Sequence, residues 1–306
     1  MVRVAAVQLV PVLADIDANL AACDRLATAA VRDGAEIVAL PEFFTTGIGF
    51  DDRLLGAALP PDGVAADLLI GLAAQHGVLI GGSFLCRDGD GHIRNAYLLA
   101  GPDGILGRHD KDLPTMWENS FYVGGTDDGV LGVPGYRVGV ALCWELMRTK
   151  TLHRLAGQVD LVLAGSGWWS VPEWRPRAVF RRMETRNEAT AQKAATGFAP
   201  YVGAPVVHAA HAGPLVCKTP WLPFRYRGHF EGSAAITAAD GSVIARRHHS
   251  EGAGFVVGDI VPDAQPRRQP MPNRYWLHRR GMLAALVWSY QRKHGQRWYA
   301  RHGVAQ

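Results

Sequence analysis

Cysteine is scarce in this sequence: four residues, at positions 23, 86, 143 and 217, none close to another. That spacing excludes a disulfide framework and a cysteine-rich zinc site, and predicts a reducing compartment. No apolar run approaches the eighteen or so residues a membrane span requires. The first ten residues form an alternating apolar strand and lack the plan of a signal peptide, so a cytoplasmic protein without a membrane span is expected. A linker rich in glycine, serine or proline is missing before residue 262. Acids are missing altogether after Asp263, where nine arginines and lysines follow, Arg279 and Arg280 among them; against a net +4 for the chain, the body carries −5. With 306 residues, 48% hydrophobic and 20% charged, the chain has ample material for a core. These features predict one domain over residues 1–262 and a basic C-terminal arm over 263–306. Trp276, Trp288 and Trp298 with the arginines would suit nucleic-acid stacking. Leu283, Leu286, Val287 and Tyr290, however, form a helical apolar stripe that suits protein. A contact between copies of the chain, with no nucleic acid, is the expectation, and the arm should matter to assembly before chemistry.

Periodicity supplies the elements. Residues 2–9 read as a strand, 17–32 as an amphipathic helix closed by Gly34, and 36–40 as a short buried strand running into Pro41-Glu42. A helix over 63–76 stops at Gly77, and strands at 78–85 and 93–100 flank an Asp-Gly turn. Further strands are expected at 136–142, 160–164, 204–209, 233–237, 242–247 and 255–260, with helices at 149–155 and 174–194. The alternation argues for an α/β protein of helices packed on buried sheet, a four-layer α-β-β-α sandwich if two sheets stack.

Three of these elements end in a chemically active residue. Val138-Gly-Val-Ala-Leu142 has no polar alternation and so reads as a strand buried on both faces, and Cys143 stands at its C-terminal end, where open α/β sheets place their chemistry. Glu42 follows the second strand, and Lys111 follows the segment Gly107-Arg-His-Asp. Singly, each has a plain structural explanation: buried core for Cys143, a helix-start acid for Glu42, a solvated charge for Lys111. Together they supply a nucleophile, a base and a cation. A cysteine thiol is only about 3% thiolate at pH 7, so a base must activate it, and a buried lysine would stabilise an oxyanion. Cys143 with His208 or His211 is the competing dyad.

The motifs around these residues are Leu40-Pro-Glu42-Phe, Lys111-Asp-Leu-Pro114, Glu118-Asn-Ser-Phe121 with Gly124, Leu142-Cys143-Trp-Glu145, and Phe230-Glu-Gly-Ser-Ala-Ala-Ile236 with Asp240-Gly241. Their order and spacing resemble the nitrilase superfamily of carbon-nitrogen hydrolases, from the first strand to about Ile260. The resemblance implies the four-layer sandwich, a homodimer or higher homo-oligomer, and a reaction without cofactor or metal. It implies Glu42 as general base, Lys111 as oxyanion stabiliser, Cys143 as nucleophile forming a thioester, Glu118 as the orienting second glutamate, and the Trp144 N–H as oxyanion donor. The implied substrate is a small molecule: an amide or carbamoyl compound releasing ammonia or an amine, with a nitrile, or acyl transfer to an amine, as the alternative. Leu146-Met-Arg148 departs from the aromatic and Pro-Glu pair of many amidases. Leu146 also replaces the asparagine of the nitrile branch, and Arg182-Met-Glu184-Thr-Arg186-Asn187 only loosely matches the family's helix motif. Trp117, Trp144, Trp168 and Trp169 lie in or beside the site motifs, either as pocket walls or as core. Arg148 could pair with a substrate carboxylate or serve the protein itself.

Overall fold

The computed structural model describes residues 1–220, 222–278 and 282–304. β1 (Val2–Leu9) leads into α1 (Ile16–Arg32), whose N-cap Asp15 accepts the Ala18 N–H and whose buried face is Cys23, Ala27 and Ala30, spaced at helical period. Next come β2 (Ile37–Ala39), a single turn α2 (Arg53–Gly56) and α3 (Val64–His76), ended by Gly77 in the left-handed region. β3 (Leu79–Arg87), β4 (Ile93–Gly101) and β5 (Gly104–Asp110) form a meander. The second half runs β6 (Val130–Val133), β7 (Tyr136–Leu142), α4 (Thr149–Leu155), β8 (Leu161–Ser166), α5 (Arg177–Val202), β9 (Val206–Thr219), β10 (Leu222–Thr237), β11 (Val243–His248) and β12 (Gly254–Ile260). α6 (Met282–His302) closes the chain.

Pairing gives two sets of strands among the described residues, β5-β4-β3-β2-β1-β12 and β6-β7-β8-β9-β10-β11. They join only where Gln8 and Leu9 at the end of β1 pair with Ala210 and His211 of β9. Val4, Ala6, Ile37, Val138, Val140, Leu142, Leu163 and Val207 interdigitate between the sets. α1 and α3 cover the outer face of the first set, and α4 and α5 that of the second. The four-layer α-β-β-α sandwich expected from the sequence is the observed fold. β7 shows why its strand has no polar alternation: Leu142 faces the inter-sheet core, while Ala141 and Cys143 face the helix layer.

Several elements differ from expectation. Residues 206–219 and 222–237 form one long antiparallel hairpin, in register from Lys218↔Arg225 to Val206↔Thr237 with a register shift between Leu222 and Arg225 at its tip, where two short strands were expected. Its outer half carries Gly213, Pro214, Pro223 and Gly228, which disfavour strand, and is held as strand by pairing with a partner, not by its own pattern. The helix expected at 174–194 runs from Arg177 to Val202, starting after Pro176. Residues 104–110 are a strand, and α1 is capped by Asp33, with Gly34 beyond it at positive φ.

Beyond β12 the chain folds back on its own body. Gln265 N–H donates to Gly203 O, Thr149 N–H to Tyr275 O, and Leu277 N–H to Met147 O. α6 lies on the turn 116–120, Gly295 touching Asn119, and the Tyr299 hydroxyl accepts the Ile93 N–H at 2.7 Å. Trp276 and Trp288 pack on Trp144, and Trp298 packs on Phe50. Leu286, Val287 and Tyr290 face outward; Arg279 and Arg280, and the side chain of Leu283, lie outside the described residues.

Candidate active site

The three chain exits bring Glu42, Lys111 and Cys143 together. Lys111 Nζ donates to Glu42 Oε1 at 2.8 Å and to Glu118 Oε2 at 2.7 Å, and one oxygen of each carboxylate and Cys143 Sγ lie within 4.8 Å of one another. All four residues are buried. Carboxylates and a thiol so grouped could in principle ligate a metal, but the cation among them is the Lys111 ammonium.

Each side chain is fixed by neighbours. Glu42 Oε1 also accepts from Asn95 Nδ2 at 2.9 Å, and Oε2 from the Gly167 N–H at 3.0 Å. Glu118 sits on the 3-10 turn Met116–Ser120; its Oε2 accepts from the Thr115 N–H and the Tyr122 hydroxyl, while its buried Oε1 has no partner among the described residues. Cys143 stands at φ +51, Phe43 at +55 and Met116 at +52. Non-glycine residues held in the left-handed region cost of order 1–3 kcal/mol each and cluster at functional sites. Gly165 explains how β2 can exit so close to β8: a Cβ there would stand 2.6 Å from the Glu42 backbone nitrogen.

The electrostatics follow from burial. Loss of solvent pushes the Glu42 carboxyl up to about 7, against the pull of Lys111. Burial, reinforced by Glu42, holds the Cys143 thiol well above its ordinary value, with Lys111 and the Trp144 N–H opposing. For Lys111, burial works against the charge, but Glu118 and Glu42 outweigh it and keep the ammonium well above its usual range. The resting site is therefore a neutral thiol beside a carboxylate poised near neutrality.

A second buried network holds the turn that carries the thiol. Glu145 Oε2 accepts the Leu142 N–H at 2.8 Å and faces His109 Nε2 at 3.0 Å; Glu145 Oε1 meets Arg154 at 3.2 Å and Arg148 at 3.7 Å. Burial opposes the Glu145 charge, yet His109, Arg154 and Arg148 hold the carboxyl well below its usual range. Arg148 is buried, with its guanidinium on Asp112 and Glu145. Trp117 stacks on Trp169 with centroids 4.3 Å apart, and Trp168 Nε1 donates to Asn187. His208 bonds Ser166 and the Ser233 carbonyl, His211 donates to the Glu42 carbonyl, and burial lowers both rings to about 4. Asn95, Tyr122, His109 and the Gly167 N–H escaped the sequence reading. Asn95 left a trace, a polar residue that is buried in a strand whose only other polar side chains are Arg94 and Tyr97.

A family model described as carbon-nitrogen hydrolase matches residues 3–269. The chain belongs to that family. Among relatives of this carbon-nitrogen hydrolase, a nitrilase of Pyrococcus abyssi is 30% identical over 192 residues, 61% of this chain and 72% of that protein. An aliphatic nitrilase of Rhodococcus rhodochrous is 27% identical over 275 residues, 84% and 74% of the two chains. The fold is shared with an amidase from Nesterenkonia sp. AN1, in a glutamate-to-glutamine variant showing Michael addition of acrylamide at its active-site cysteine. Its TM-score is 0.65 at 19% identity, over 86% of this chain and 95% of that one. No helix among the described residues is long and apolar enough to cross a membrane.

Proposed function

We propose that this carbon-nitrogen hydrolase cleaves a small amide or carbamoyl compound through a thioester on Cys143. The observation that carries the reading is the Lys111 ammonium: of its three N–H groups, two are bound to Glu42 and Glu118, which leaves one for a substrate oxygen beside Cys143 Sγ. In this reading Glu42 takes the thiol proton as Sγ attacks the carbonyl carbon. Lys111 and the Trp144 N–H hold the oxyanion, and Glu42 returns the proton to the departing nitrogen as the C–N bond breaks. Water, deprotonated by Glu42, then attacks the thioester and Sγ leaves with that proton.

Glu118 Oε1, buried and without a donor among the described residues, supports the amide preference. A primary amide or carbamoyl group brings N–H groups to that oxygen, whereas a nitrile brings none, and a buried unpaired acceptor costs about 1–3 kcal/mol. Trp117 and Trp169 would wall a flat or apolar acyl part; Trp144 and Trp168 pack on each other. Arg148, held by Asp112 and Glu145, positions the turn in this reading. The second reading, nitrile hydrolysis, is favoured by the names of the two relatives above. The outward Leu286, Val287 and Tyr290 of α6 are assigned to contact between copies of the chain, and four free thiols fit a cytoplasmic setting.

The test is ammonia release over a panel of amides, carbamoyl compounds and nitriles, with matched acyl groups. Cys143→Ala, Glu42→Gln and Lys111→Met should each abolish turnover while circular dichroism stays native, and His208→Ala should not. Turnover surviving in Glu42→Gln defeats the assignment of roles. Higher kcat/KM for nitriles across several matched pairs gives the reaction to the second reading.

A further inference from the structure

Away from the thiol, one cluster of ligating side chains has no role in the chemistry above. Glu184 near the start of α5, and His229 and Glu231 of β10, offer one atom each within 4.8 Å of one another. His229 Nε2 is 3.4 Å from Glu184 Oε1 and 3.7 Å from Glu231 Oε2. Both oxygens are buried and accept no hydrogen bond among the described residues, and Glu231 is wholly inaccessible to solvent. Two carboxylate oxygens this close, with only the His229 nitrogen facing them at long distances, repel unless a proton or a cation lies between them.

Contacts of 3.4 and 3.7 Å are long for N–H···O hydrogen bonds. Both separations from His229 do suit ligands of one ion, because a tetrahedral ion with bonds of about 2.1 Å separates its ligands by about 3.4 Å. The other carboxylate oxygens are already oriented by the protein, Glu184 Oε2 by the Val171 N–H and Glu231 Oε1 by Asn187 Nδ2. Outer contacts of this kind aim the ligands of metal sites. On the open side, Glu184 and His229 line a cleft of about 390 Å³ with Val171, Trp174 and Phe180.

We propose that Glu184, His229 and Glu231 form a binding site for a zinc-class divalent cation, with its fourth position open to this cleft. One imidazole nitrogen and two carboxylates form a borderline set that suits Zn²⁺, whereas Mg²⁺ and Ca²⁺ require six or more ligands, nearly all oxygen. The ion would neutralise both carboxylates and tie α5 to the β9–β10 hairpin. The site stands whether or not the hydrolase roles proposed for Cys143, Glu42 and Lys111 hold.

The experiment is calorimetric titration of the chelator-treated full chain with Zn²⁺, in a Cys143→Ala background so that the thiol cannot be the ligand. Expected is one Zn²⁺ per chain with a dissociation constant on the order of 1 μM or tighter, and no response to Mg²⁺. His229→Ala and Glu184→Gln should each weaken binding by about 100-fold, and Co²⁺ should give the strong visible absorption of a four-coordinate ion only when both residues are present. His229 is partly exposed, so its variant decides the matter if Glu184→Gln fails to fold. Absence of stoichiometric Zn²⁺ binding, or binding unchanged in His229→Ala, overturns the proposal and leaves an imidazolium-carboxylate cluster.

Discussion

The most discriminating perturbation is pH. Glu42 is the proposed base, and burial places its carboxyl at about 7, while His208 and His211, the rival bases, are lowered to about 4. The two mechanisms therefore predict acid limbs of kcat/KM roughly three pH units apart, and kcat/KM reports the free enzyme. With Glu42 as base, the active fraction is about one tenth at pH 6 and one hundredth at pH 5, whereas a histidine base leaves pH 5 activity nearly whole. Acid unfolding does not imitate this loss. A carboxyl whose folded value is raised from 4.5 to about 7 makes the folded state bind more protons, so its contribution to stability grows as pH falls through that window, by about 3 kcal/mol. Activity and this part of stability thus move in opposite directions between pH 7 and 4.5. The assay is initial-rate ammonia release at low substrate from pH 4.5 to 9, with circular dichroism at each point. An acid limb near 4, or a flat profile down to pH 5, refutes the assignment of Glu42.

Other perturbations follow from the same geometry. Glu145→Gln leaves His109, Arg148 and Arg154 around an uncharged group in a buried network, and should cost about 3–5 kcal/mol by urea denaturation; a loss under 1 kcal/mol would mean that the network is not holding the turn. Gly165→Ala drives a methyl into the Glu42 backbone and should lower kcat by about 100-fold in protein that still folds; near-native kcat would show that the base does not depend on the close crossing of β2 and β8. Deletion of residues 264–306 removes both the outward stripe and the cover over the turn that carries Glu118. It should change the oligomer in light scattering and also lower turnover, so full activity in the truncated chain contradicts the packing of α6.

How much of this was legible in the sequence depends on distance along the chain. Buried strands such as 138–142 and capped helices such as 16–32 announce themselves locally, because burial and capping leave a residue-by-residue pattern. Glu42 and Cys143 follow the ends of expected strands, whereas the strand 104–110 that leads into Lys111 was not expected. The outer half of the hairpin 206–237 did not show, since it is strand only by virtue of its partner. Nor did the supporting groups: Asn95 is 53 residues from Glu42, and His109 is 36 from Glu145, and no period links them. For Arg148 the sequence left two roles open, a substrate carboxylate or the protein itself. Arg148 follows the thiol closely in sequence, but its guanidinium belongs to Asp112 and Glu145.

The burial of the thiols has a consequence for anyone handling this protein. Cys23, Cys86, Cys143 and Cys217 are all enclosed, and burial pushes every one of them up, Cys86 and Cys217 to about 12. Thiolate is the species that reacts with alkylating agents, peroxide and heavy metals, so general thiol reagents should act slowly and air oxidation should be mild. A covalent inhibitor would gain little from a stronger electrophile. Under the proposed mechanism it would need to occupy the substrate's place first, lending its own oxygen to Lys111 before Glu42 releases the sulfur.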